Sequence, residues 1–98
     1  MSHFTTRVEL HKANTTEDYE TLHKEMEKEG FWRTIRLDGE TTTYKLPSAE
    51  YNYSSETLGT NDVLALAKKA ANRTGKTFGV LVTKADGRRY WFNLEEKK

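Results

Sequence analysis

The chain contains no cysteine. Disulfides, thiolate metal sites and cysteine nucleophiles are therefore excluded, which fits a reducing compartment. No apolar run approaches the length of a membrane span, and the opening MSHFTTRVEL lacks the hydrophobic segment of a signal peptide. The expectation is a soluble cytoplasmic protein. Charge of one sign is also missing: 16 Lys and Arg stand against 15 Asp and Glu, a net +1. No global field recruits nucleic acid, so any nucleic-acid site must come from local clustering of arginine and lysine. His3, His11 and His23 show no H-x-x-x-H or H-E-x-x-H spacing. No elbow motif surrounds the serines of LPSAE and YNYSSE, and no glycine-rich phosphate loop is present. Glu17, Glu20, Glu25, Glu27 and Glu29 read as the solvated face of a helix. Neither a metal site nor a cofactor is expected.

What is present is enough for one domain, residues 1–98, with 94–98 as a fraying tail. Phe4, Thr6, Val8 and Leu10 alternate with Thr5, Arg7, Glu9 and His11, which predicts a half-buried strand. Thr15 or Thr16 caps a helix in which Tyr19, Leu22 and Met26 form a narrow apolar stripe, and Gly30 stops it. FWRTIRLDGETTTYKLP reads as strand, type I′ turn at Asp38-Gly39, and strand. Pro47 has no N–H to give and interrupts the pairing, so residues 41–54 read as one bent strand or two short ones. Thr60 or Asn61 caps a second helix that turns Val63, Leu64, Ala67, Ala70 and Ala71 inward and ends at Gly75. TFGVLVTK is nearly continuously apolar, which predicts a strand covered in part on both faces. Asp86-Gly87 turns the chain back into a last paired strand over 89–94. In that strand Tyr90, Phe92 and Leu94 face the core, and Arg89, Trp91 and Asn93 face outward.

The order β-α-β-β-α-β with right-handed crossovers predicts an α+β ferredoxin-like sandwich. Two helices cover one face of an antiparallel sheet, and a C-terminal hairpin strand is added. The other face is left open. On such a face this fold stacks RNA bases, pairs with another copy or grips a protein.

The strongest chemical signal is the mixture of arginines and aromatics. Arg33, Arg36, Arg88, Arg89 and Trp91 are the candidate RNA- or partner-binding residues, because guanidinium forks suit phosphate oxygens and aromatic faces suit unpaired bases. The competing reading is structural: aromatics fit a pleated surface, and the arginines pair with Glu9, Glu40 or Glu50. Metal-free RNA cleavage needs a general base, a general acid and a cation at the phosphorane. His11 at the end of the first strand is the candidate for proton transfer, imidazole being suited to it near neutral pH. Arg7 is the candidate cation.

HFTTRVELHKA, YETLHKEMEKEGF, TYKLPSAEYNYSS and GKTFGVLVTKADGR together resemble a small bacterial and phage family. Its named member is the endoribonuclease antitoxin of type V toxin–antitoxin systems (the GhoS family), and the likeness spans nearly the whole chain in element order and length. The resemblance implies the Cas2-like ferredoxin fold and an RNA-cleaving or RNA-binding role, since the named member cleaves the messenger RNA of a membrane-lytic toxin. Cas2-type nucleases place a metal-binding aspartate at the end of the first strand. This chain has LHKAN there, so a metal-dependent mechanism is not expected, and no catalytic residue is carried over. The alternative is a non-enzymatic protein-binding module from a phage or mobile element, an inhibitor of a host or defence complex. Either reading accommodates a homodimer through the sheet face or an edge strand.

Overall fold

The computed structural model describes residues 1–12, 15–36, 39–87 and 89–97. The alternating segment at the start forms β1 (Ser2–His11). Its burial follows its polarity: Phe4, Thr6, Val8 and Leu10 are sealed, and Arg7, Glu9 and His11 are exposed. β1 is the central strand of an antiparallel sheet ordered β4-β1-β5. β4 (Glu50–Ser55) sets Tyr51 opposite Thr6, and β5 (Thr77–Lys84) sets Val80 opposite Val8. Opposed residues share a face. Tyr51 and Tyr53 therefore join Phe4, Val8 and Leu10 in the core layer, with Phe78, Val80 and Val82 on the other flank. Beyond β4, Trp32 exchanges two backbone hydrogen bonds with Asn52, of 2.9 and 2.6 Å. β2 (Thr34–Ile35) leads on from there and pairs with β3 (Tyr44–Lys45). This is the ferredoxin-like βαββαβ arrangement.

Both helices lie on the core side. α1 (Thr16–Lys28) starts from a reciprocal capping box: Thr15 Oγ1 accepts from the Asp18 N–H (3.1 Å), and Asp18 Oδ2 accepts from the Thr15 N–H (3.2 Å). Its Leu22 and Met26 are buried. Gly30, at φ +91, closes it in the left-handed conformation that glycine alone adopts without strain. α2 (Thr60–Asn72) is capped by Gly59, not by Thr60 or Asn61. The reason is Asp62, whose carboxylate accepts from the Gly59 N–H (2.9 Å) and so fixes the first turn one residue early. Val63, Ala67, Ala70 and Ala71 are its buried face, and Leu64 is only half-buried. The helix C-termini are tied together by Arg73, which reaches Glu25 (Nε–Oε1 2.7 Å) and Glu29 (NH1–Oε2 3.0 Å). The hydrogen bond from Arg73, with that from Lys28, holds the Glu25 carboxyl below its ordinary range.

Several sequence expectations are corrected. β5 is covered on one face only, and Leu81 is 65% exposed. Both helices sit on the same side, so the apolar run in TFGVLVTK has nothing over its second face. Asp38 lies outside the described residues. The observed register pairs Thr34 with Lys45, whereas a two-residue turn at Asp38-Gly39 would pair Thr34 with Thr43. The choice left open for residues 41–54, one bent strand or two, falls to two, β3 and β4, separated at Pro47 and at Ala49, whose φ is +66.

The expected strand over 89–94 is not formed among the described residues. The chain leaves β5 after the Ala85 N–H donates to the His3 carbonyl (2.8 Å). It then crosses the helix-free face instead of returning along β5. Tyr90 and Phe92, expected in the core, are 85% and 91% exposed. Trp91 packs against Tyr44, with ring centroids 5.4 Å apart. Residues 95–97, expected to fray, pair with β3: Lys45 N–H donates to Glu95 O (2.7 Å), and Lys97 N–H donates to Thr43 O (2.8 Å).

Candidate functional site

The helix-free face is built by the alternate residues of three strands. His3, Thr5, Arg7, Glu9 and His11 of β1 run down its middle. Asn52 and Ser54 flank Thr5 and His3 on β4, while Leu81 flanks Arg7 on β5. The register, not the local sequence, decides which of these side chains meet. His3 Nδ1 lies 2.8 Å from Ser54 Oγ. Arg89 NH1 donates to Asn52 Oδ1 (2.8 Å) and Thr5 Oγ1 (3.3 Å). Thr5 is one same-face position from His3, about 7 Å along the strand. Arg89 and His3 therefore occupy neighbouring rows of one face.

The proposed catalytic pair is placed differently. Arg7 and His11 share the face but stand four residues apart, about 13 Å along the strand, with Glu9 between them. Arg7 NH1 is 3.9 Å from Glu50 Oε2. His11 Nε2 is 3.7 Å from Glu9 Oε1, and its ring lies over Gly79. The two side chains do not converge on a common point.

Of the expected binding residues, Arg89 is half-buried on the open face, and Trp91 is half-buried against Tyr44 rather than under a helix. Arg33 is exposed at the bend between Trp32 and β2, and Arg36 is exposed just past β2. Arg88 lies outside the described residues. The residues that sequence reasoning missed are Thr5, Asn52, His3 and the exposed rings of Tyr90 and Phe92. His3 and Ser54 are 51 positions apart, and only the strand register could have joined them.

Two cavities flank the crossing segment. One, of about 410 Å³, lies over Ile35, Leu46 and Leu94 with Arg89 and Trp91 at its side. A larger one, of about 650 Å³, lies between the β2–β3 hairpin and the C-terminal residues. Among the described residues, no three His, Asp or Glu side chains are grouped so as to hold a metal ion. No helix among them is long and apolar enough to cross a membrane.

On the helix side, His23 Nδ1 lies 2.5 Å from the Tyr51 phenol oxygen. Burial, helped by the Arg33 cation, pulls the His23 imidazole down to about 4 from 6.5, and burial pushes the Tyr51 phenol up. Folding therefore favours the neutral imidazole, while the unfolded chain takes up a proton below about 6.5. The linked stability is present above that pH and is lost as pH falls toward 4. The group is partly exposed, so solvent screening reduces the effect to about 1 kcal/mol between about pH 7 and pH 5. Urea unfolding at those two pH values should show this loss, and His23→Gln, which keeps a hydrogen-bonding group without the titration, should remove it.

No family model, no curated protein and no solved structure matches the chain.

Proposed function

We propose that the protein binds single-stranded RNA in the cytoplasm, as an antitoxin-like RNA-binding protein, and that the open sheet face with its crossing C-terminal segment is the contact surface. One observation carries this reading. Arg89 sits on the face in the row next to His3, and the rings of Tyr90 and Phe92 in the same segment are almost fully exposed. A guanidinium fork suits a phosphate, and exposed rings suit unpaired bases. The geometry favours binding over cleavage. Cleavage needs acid, base and cation around one phosphorus, and Arg7 and His11 are held apart beside separate carboxylates.

The test is anisotropy of a labelled mixed-sequence single-stranded RNA, with gel analysis of the same samples with and without EDTA. Arg89→Ala should weaken binding at least about tenfold and flatten the salt dependence by about one unit of slope or slightly less. Arg7→Ala/His11→Ala should weaken binding less. Cleavage that survives EDTA and vanishes in the double variant would make the protein a metal-independent endoribonuclease. No binding by folded protein would favour the second reading, a protein-binding module of a phage or mobile element. That reading draws on the exposed apolar side chains of Tyr90, Phe92 and Leu81.

A further inference from the structure

We infer that the 650 Å³ cavity between the β2–β3 hairpin and the C-terminal residues is a binding site for one phosphate-bearing nucleotide, free or at the 5′ end of an RNA strand. Its size falls in the range of small-molecule sites. Neither Arg89 nor His3 lines it, although Leu46, Pro47 and Leu94 also line the cavity beside Arg89, and a free nucleotide would bind there whether or not the open face takes RNA.

The first argument is Trp32. The residue lines the cavity and is 53% exposed, although its backbone is fixed by the two hydrogen bonds to Asn52. A tryptophan used for packing is normally covered. One held on a rigid backbone with an open face is a stacking platform for a base. Leu46 and Pro47 add apolar wall to the same cavity.

The second argument is charge. Arg33, Lys45 and Lys97 line the cavity against two carboxylates, Glu27 and Glu95. The balance favours an anion over a cation. Lys45 is engaged by Glu95 at 3.4 Å, but both side chains are largely exposed. Such a pair is worth little and gives way to a better anion. Arg33 makes no ion pair among the described residues; it stands between this cavity and the pocket beside His23, and its fork suits phosphate oxygens. Lys45 and Lys97 are positioned by backbone pairing, since the Lys45 N–H bonds Glu95 O and the Lys97 N–H bonds Thr43 O. A planar ring and three cations in one cavity match a base and a phosphate. They do not match an uncharged nucleoside or a metal ion.

The test uses the 98-residue chain carrying Trp91→Phe, which leaves Trp32 as its single indole and keeps a ring against Tyr44. Adenosine 5′-monophosphate should quench the indole saturably, and adenosine should bind at least about tenfold more weakly. Arg33→Ala should weaken the nucleotide at least about tenfold while leaving the circular dichroism spectrum and melting temperature unchanged. Calorimetric titration of the unsubstituted chain guards against a defect introduced by Trp91→Phe. Decamer RNAs with a 5′-phosphate or a 5′-hydroxyl separate the two sources. Preference for the phosphorylated strand over the free nucleotide assigns the site to an RNA end, and the reverse assigns it to free nucleotide. Absence of quenching and heat at millimolar nucleotide and with phosphorylated RNA overturns the inference. So does an unchanged affinity in Arg33→Ala. If RNA of either end still binds and responds to Arg89→Ala alone, the open-face reading stands and this cavity is not a site.

Discussion

Phe4→Ala should destabilise the protein by about 3–5 kcal/mol. Phe4 is fully buried on the central strand, with Tyr53 on β4 beside it and Lys84 on β5 opposite. Its ring lies 6.4 Å from that of Tyr53. The void left by alanine is walled by two neighbouring strands and a helix layer, so it cannot collapse easily. A domain of this size has about 5–15 kcal/mol in total, and the melting temperature should fall by roughly 15–30 °C. Leu81→Ala also deletes apolar atoms, three carbons against the six ring carbons of Phe4, but from the open face of β5, where the side chain is mostly in solvent. It should change stability by no more than about 0.5 kcal/mol. Thermal unfolding of both variants followed by circular dichroism decides the point. Equal losses would mean that the helix-free face is also a packed interior.

That contrast marks what the sequence could and could not reveal. β1 was legible because its alternation is local: every second residue is apolar, and the polar ones are strongly so. The helices were legible because caps, stripes and stops lie within a few residues of one another. TFGVLVTK was not, since Val80, Leu81 and Val82 are equally apolar and only the position of the helices tells a covered face from an open one. The segment 89–94 was misread for a related reason. Its alternation defines two faces but not which of them is inside, and strand-forming residues do not name a partner. Its partners include Thr5, Asn52 and Tyr44, each more than 35 positions away.

The candidate site divides in the same way. The chemistry of Arg89 was visible in sequence as a cation among aromatics, but its place on the face was not. Arg7 and His11 looked like partners because alternation puts them on one side of one strand. Strand geometry then separates them by about 13 Å, and each finds a nearer carboxylate. Periodicity reports a shared face, whereas catalysis requires a shared point.

A chain ending at Gly87 tests whether the last segment is part of the fold. Ile35 is 5% exposed, and the cavity beside it is bounded by Trp91, Phe92 and Leu94. Removing the segment opens Ile35 to water, which costs about 1.5–3 kcal/mol for a fully buried side chain of that size. The Tyr44–Trp91 ring contact contributes about 0.5–1.5 kcal/mol more. The expected loss is therefore about 2–4 kcal/mol, roughly 10–25 °C in melting temperature. Hydrogen exchange adds a readout that a general loosening would not give. The Lys45 amide, which donates to Glu95 O, should lose protection. The β5 amides paired with β1 should keep theirs relative to the new global stability. An unchanged melting temperature and an unaltered Lys45 amide would mean that the segment is a loose tail. Selective loss of protection along β5 would mean that it returns along that edge as a hairpin strand. Either result would also remove Arg89 from the row beside His3, and with it the observation on which RNA binding was proposed.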